Sequence, residues 1–251
     1  MSASIHEIAP DLYRINIFFS QFNLGFNHFL VKDEEPLLFH TGFRATFPEV
    51  REAVDRLIEP GRLRYISFGH FEPDECGALN EWLAAAPRAE TIVSTVGSIV
   101  TTGNFADRPP RALQVNESFS TGKYRFRYIN TPHLPHGWDA GVLFEETRKT
   151  LLCSDLFTHN GDVEPITGSD ITGRARQALL DGQLSPLADV TPYTSQTGRL
   201  LSALAALQPA RLATMHGSSF EGDCSAALLD LSTVFREVLS DDRSGQLEAT
   251  A

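Results

Sequence analysis

Cysteine, methionine, tryptophan and positive charge are all scarce in this chain. Its 251 residues include three cysteines, two methionines and two tryptophans, and 21 Lys and Arg against 32 Asp and Glu leave a formal charge of -11. Cys76, Cys153 and Cys224 form no C-x-x-C pair and are odd in number, which argues against a disulfide framework and fits a reducing compartment. No Lys/Arg cluster breaks the acidic background, so neither nucleic acid nor an anionic membrane is expected as a main partner. No apolar run approaches the length a bilayer demands. The opening MSASIHEIAPDLYRINIFF has no basic segment followed by an apolar stretch. The expected location is the cytoplasm.

Apolar residues, by contrast, are plentiful. At 42% hydrophobic and 10% aromatic, the chain can bury a sizeable core, and one domain over residues 1–251 is expected, with a frayed polar tail from about 240. Short β-type runs come first: LYRINIFFS, NHFLVKD and PLLFHTG, each bounded by turn residues. TFPEVREAVDRLI follows, with Phe47, Val50, Val54 and Leu57 at helical spacing and a stop at Pro60-Gly61. LRYISF reads as a buried strand, DECGALNEWLAAA as one helix, and ETIVSTV and GKYRFRYIN as strands. GVLFEETRKTLLCSD reads as a hairpin turning near Glu146–Lys149. GRARQALLDGQ, TSQTGRLLSALAAL and PARLATMHG complete the pattern as helix, helix and strand. With no repeat or low-complexity linker, this order predicts an α/β (α+β) architecture of two sheets between helices.

In YISFGHFEPDECGALNEW, residues 65–82, His70, Glu72, Asp74 and Glu75 crowd together at the end of an apolar run. Carboxylates this close repel one another unless a cation sits among them. Other candidate ligands also stand at strand ends: His133 and His136 after KYRFRYIN, Asp155 after TLLC, and His216 after RLATM. Loops at one sheet edge can converge on one pocket, and strand ends hold side chains firmly. A lone buried histidine is usually structural, and His6, His28 and His159, which have no such company, are expected to be structural or exposed. The joint pattern points to a metal site.

HFEPDE (70–75), TPHLPHGWD (131–139), LLCSDLF (151–157) and MHG (215–217), in that order, resemble the metal-binding motifs of the metallo-β-lactamase superfamily. NHFLV and LLFHTG are similar to its two opening strands. The resemblance implies a four-layer αββα sandwich. Hydrolases of the superfamily generally carry H-x-H-x-D-H, whereas Glu72 here gives H-x-E-x-D, similar to the di-iron branch of flavodiiron and oxygen-binding di-iron proteins. HGWDAG resembles the flavodiiron H-W-P-D-S segment, which favours His136 over His133. Two positions depart from the pattern: Glu75 stands where a histidine follows the aspartate, and His40 where an aspartate precedes Thr-Gly.

The resemblance implies His70, Glu72 and His136 on one metal, Asp74 and His216 on the other, and Asp155 bridging both. Glu75, His40, His133 and Asp139 are candidates for extra ligands or for partners of the ligands' second ring nitrogens. An oxygen-rich anionic shell suits iron or manganese better than the nitrogen-rich sets of zinc hydrolases, and two iron ions are expected, with manganese or zinc the alternatives. Phe71, Trp138 and Phe157 are candidates for a dry wall, and Cys153 reads as a small buried residue. The implied activity is binding, and in some settings reduction, of dioxygen or nitric oxide. About thirty-five residues follow His216, so no flavodoxin-like domain is expected and a separate electron-transfer partner would supply electrons; a homodimer is compatible. The competing class is a dinuclear hydrolase of a lactone, thioester or phosphoester.

Overall fold

Alternation of side chains along short strands decides the architecture of the computed structural model, which describes residues 2–114 and 117–240. The first sheet runs β1 (Ser4–Ala9), β2 (Leu12–Phe19), β3 (Leu24–Val31), β4 (Leu37–Phe39), β5 (Tyr65–Ser67), β6 (Glu90–Ser94) and β7 (Arg111–Leu113), side by side in chain order. The second contains β8 (Ser118–Ser120), β9 (Arg125–Asn130), β10 (Gly141–Glu145), β11 (Thr150–Leu152), β12 (Ile166–Thr167), β13 (Arg211–Ala213) and β14 (Ser219–Glu221). Its spatial order is β12-β14-β13-β11-β10-β9-β8.

Odd and even residues of these strands go to different layers. Phe29, Leu37, Phe39, Leu143, Leu152 and Ala213 meet between the sheets. Their neighbours Leu30 and Leu38 face α1 (Phe47–Asp55) and a later helix pair, α2 (Pro73–Cys76) and α3 (Leu79–Ala85), through Val50, Val54, Leu79 and Trp82. On the far side, Val142, Phe144, Leu151 and Leu212 pack under three further helices, through residues such as Ala175, Leu201 and Leu231. Counting the short α4 (Thr102–Phe105), these are α5 (Ile171–Gln183), α6 (Thr197–Ala205) and α7 (Cys224–Leu239). The layers are therefore helix, sheet, sheet, helix, as expected.

The expected helix over DECGALNEWLAAA is broken at Gly77. Ala78 donates its N–H to Gly42 O (2.8 Å) and Thr41 donates to Glu75 O (2.6 Å), so the β4 loop takes hydrogen bonds that a continuous helix would use. Among the described residues no helix is long and apolar enough to cross a membrane. Most of the tail expected to fray, from 241 on, lies outside the described residues.

Strand direction positions the site. β9 and β11 are each antiparallel to β10, and β13 is parallel to β11, so the C-terminal ends of β9, β11 and β13 emerge at one edge of the second sheet. β4 and β5 run parallel in the first sheet. Gly141 N–H donates to Gly69 O (2.8 Å), tying the loop after β5 to that same edge.

Candidate metal centre

His70 and Asp155 follow β5 and β11, His136 lies between β9 and β10, and His216 follows β13; Glu72 and Asp74 flank the start of α2. Their side chains meet. Ligand atoms of His70, Glu72, His136 and Asp155 all lie within 4.8 Å of one another. His136 Nε2 is 3.1 Å from Glu72 Oε1 and 3.5 Å from Asp155 Oδ2, and His70 Nε2 is 3.5 Å from both Glu72 Oε2 and Asp155 Oδ2. His216 Nε2 stands 3.3 Å from Asp74 Oδ2 and 3.3 Å from the other oxygen of Asp155, Oδ1. Asp155 thus offers one oxygen to each of two groups of donors.

Charge in this cluster is strongly displaced from its ordinary balance. Burial opposes charging the His70 ring, but Glu75, Glu72 and Asp155 outweigh it and push its pKa up to about 10. His216 likewise rises to about 10 against its burial, held by Asp155 and Asp74. Burial alone would raise Glu72, yet the His136 and His70 rings bring it down to about 2. Asp155 is buried too, and the surrounding imidazoles hold it well below the usual carboxylate range. Without a metal ion, the raised His70 and His216 rings hold protons that offset these carboxylates.

Glu75 sits among these groups but does not face them as a donor. Its Oε2 accepts the N–H groups of Gly69 (2.6 Å) and His70 (2.8 Å), and its Oε1 accepts from Ser154 Oγ and lies 3.3 Å from His70 Nδ1. Burial pushes its pKa up to about 7. Two of the three ring nitrogens not aimed at the cluster have partners: His70 Nδ1 meets Ser154 Oγ (3.1 Å) and His216 Nδ1 meets Gly25 O (3.0 Å). His136 Nδ1 is buried with no hydrogen-bond partner among the described residues.

The remaining candidates fall outside the cluster. His133 is exposed, its backbone left-handed at φ 63°, while His136 turns inward. His40 is buried with Nδ1 on Asn27 O (3.0 Å) and Nε2 3.5 Å from Glu75 Oε1, and burial lowers its pKa to about 3. Asp139 accepts from Thr101 Oγ1 (2.8 Å) and contacts no ligand histidine as a partner. Trp138 is 65% exposed and forms no wall; it follows Gly137, whose backbone is left-handed at φ 86°. Phe71 packs on Phe105 (5.2 Å between ring centroids), and Phe157 is buried. Cys153 is buried, with Sγ on Ala213 O (3.3 Å).

Sequence reasoning missed Ser154, although it adjoins Asp155, and a cavity of about 630 Å³ beside Glu72 lined by Phe19, Phe22, Phe43, Phe71 and Phe105. Those phenylalanines come from separated segments, and no local pattern unites them.

The family model described as ODP family beta lactamase matches residues 24–172, from β3 to the start of α5. The chain belongs to this family. Rubredoxin-oxygen oxidoreductase of Megalodesulfovibrio gigas is 25% identical to the ODP-family chain over 201 residues, 78% of this chain and 49% of its own length. Flavo-diiron protein FprA2 of Clostridium acetobutylicum is 24% identical over 160 residues, 62% of this chain and 40% of its own. The chain therefore spans about half the length, or less, of these curated relatives. Among solved structures, rubredoxin oxygen:oxidoreductase from Desulfovibrio gigas superposes with a TM-score of 0.78 at 21% identity, covering 92% of this chain and 61% of that one. The flavodiiron protein from Giardia intestinalis superposes at 0.72 and 15%, covering 93% and 59%. The ODP-family chain has the metallo-β-lactamase-like fold of flavodiiron proteins.

Proposed function

We propose that the chain holds two iron ions and binds dioxygen or nitric oxide at them, as a sensor or as a reductase supplied by a separate electron-transfer partner. One observation carries the reading: Asp155 presents Oδ2 to His70 and His136 and Oδ1 to His216. A carboxylate divided in this way suits two cations side by side. The donor set fits such ions on independent grounds. His70 Nε2, His136 Nε2 and Asp155 Oδ1 are buried without a hydrogen-bond partner among the described residues, which is costly unless something else occupies them. With three imidazoles and three carboxylates, the shell is rich in anionic oxygen and suits iron or manganese.

When bound, two ferrous ions supply electrons in pairs to a diatomic ligand. The protein's own contribution is to hold and tune. His70, Glu72, His136 and Asp155 would hold the first ion, and Asp74, His216 and Asp155 the second. Glu75 and Ser154 orient His70 through its Nδ1 side and backbone, and the Gly25 carbonyl fixes the tautomer of His216. The phenylalanine-lined cavity at Glu72 keeps one flank of the centre apolar. The names rubredoxin-oxygen oxidoreductase and flavo-diiron protein, borne by relatives that this chain matches over part of their length, support the same chemistry.

The test is anaerobic reduction of iron-loaded protein followed by titration with dioxygen or nitric oxide, read by visible spectrum and electrode together. The expected result is a spectral change that saturates at a stoichiometric amount of gas. Return of the reduced spectrum on removing oxygen indicates a sensor. No response to either gas, alongside hydrolysis of a lactone or thioester, would transfer the site to the hydrolases.

A further inference from the structure

We propose that Asn27, on β3, is the positioning residue for His216 and so for the second ion alone. The inference rests on the dinuclear reading above. Asn27 is completely buried and every polar atom it has is used. Its side-chain amide donates both hydrogens, one to Thr214 O (2.9 Å) and one to Gly217 O (2.8 Å). Its backbone N–H donates to Met215 O (2.9 Å). Its Oδ1 accepts from Asn16 Nδ2 (2.8 Å), and its carbonyl meets His40 Nδ1 (3.0 Å).

The three carbonyls captured by Asn27 bracket His216 on both sides. Two residues earlier on the same strand, Gly25 O takes His216 Nδ1 at 3.0 Å, which leaves Nε2 directed at Asp74 and Asp155. β3 thus fixes the loop after β13 at four carbonyl or ring contacts, and Asn27 makes three of them. The loop needs this restraint, because Gly217 is left-handed at φ 97° and its peptide can rotate once its carbonyl is released. Gly217 O retains a second donor in Arg14 Nη2 (3.2 Å), so the loop would loosen without unfolding. His70, at the first ion, is held instead by Glu75 and Ser154, neither of which hydrogen-bonds the Asn27 side chain. Partners that orient a metal ligand without binding the metal typically affect affinity by about ten- to a hundredfold.

The experiment is anaerobic titration of the metal-free full chain with Co(II), a redox-quiet probe whose visible bands grow with each equivalent bound, on wild type, Asn27→Ala, Asn27→Asp and Asn16→Ala. Asn27→Asp keeps the shape and loses the donors; Asn16→Ala removes the neighbouring hydrogen bond but touches no part of the loop. The expected result is two equivalents in wild type and Asn16→Ala. In both Asn27 variants the first equivalent should bind as in wild type and the second about ten- to a hundredfold more weakly. An unchanged second equivalent in either variant, parallel loss of both ions, an equal loss in Asn16→Ala, or failure of both Asn27 variants to fold would each overturn the proposal. A wild-type chain that takes fewer than two ions would instead defeat the dinuclear reading on which it rests.

Discussion

Asp155 and Glu75 carry the same functional group, on opposite nitrogens of the His70 ring, and are put to opposite uses. Asp155 keeps its charge because imidazoles surround it, whereas Glu75 is pushed up to about 7 by burial while it clamps two backbone N–H groups. Replacing Glu75 with Ala strips acceptors from those N–H groups, and the unfolding free energy should fall by about 1–3 kcal/mol in urea melts. An unaltered midpoint would remove Glu75 from this role. Protonation of the histidines carries a second expectation. His70 and His216 lie above their ordinary 6.5, at about 10, so in the ion-free chain their protons stabilise the fold fully below pH 6.5, and that contribution disappears as pH rises through about 10. Glu72, lowered from 4.5 to about 2, contributes stability present above pH 4.5 and lost as pH falls through about 2. As far as these groups decide, metal-free protein should resist urea best between pH 4.5 and 6.5; a midpoint that rises steadily from 6.5 to 10 contradicts this. Ion binding must also displace those protons, so metal uptake near neutral pH should release protons to the buffer, measurable by titration calorimetry in buffers of different ionisation enthalpy.

Elements differ in how openly the chain announces them. β2, β3, β4, α1 and the β10–β11 hairpin are bounded by their own turn residues, and local pattern suffices to read them. The break between α2 and α3 could not be read locally, because its cause is Gly42 O and the Thr41 N–H, more than thirty residues away. The π-type turn Gly97–Thr101 and α7 were likewise missed. α7 has apolar residues at helical spacing, Leu228, Leu231, Phe235 and Val238, behind an Asp223 cap that accepts from Ala226 N–H at 2.9 Å, so its signal was present in the sequence. His70, Asp155 and His216 were legible because each follows a strand within three residues, Glu72 and Asp74 because they crowd beside His70 at the start of α2, and His136 by its motif; His133 and Asp139 were plausible by spacing alone and point elsewhere. The loop after β13 has an expectation of its own. A Cβ on Gly217 would stand 2.3 to 2.5 Å from the His159 ring, at a φ of 97° that L residues rarely adopt. Gly217→Ala should therefore cost about 1–3 kcal/mol in thermal or urea unfolding, and a variant as stable as wild type would show that the loop yields freely.

At the scale of the whole molecule, helices cover both outer faces and leave the ligand-bearing loops at one sheet edge, beside an apolar cavity and under a net charge of -11. An electron-transfer partner for such a surface should be basic where it docks, and the rate of reduction through it should fall as salt screens the attraction. A salt-independent rate would argue against electrostatic docking. The di-iron centre is tested most directly by where two ions sit. Crystals of anaerobically iron-loaded protein, with anomalous scattering recorded on either side of the iron absorption edge, decide it. The predicted result is two iron peaks flanking Asp155, one among His70, Glu72 and His136 and the other beside Asp74 and His216. A single peak, peaks away from Asp155, or scattering that marks zinc in protein supplied with both metals would contradict the di-iron centre.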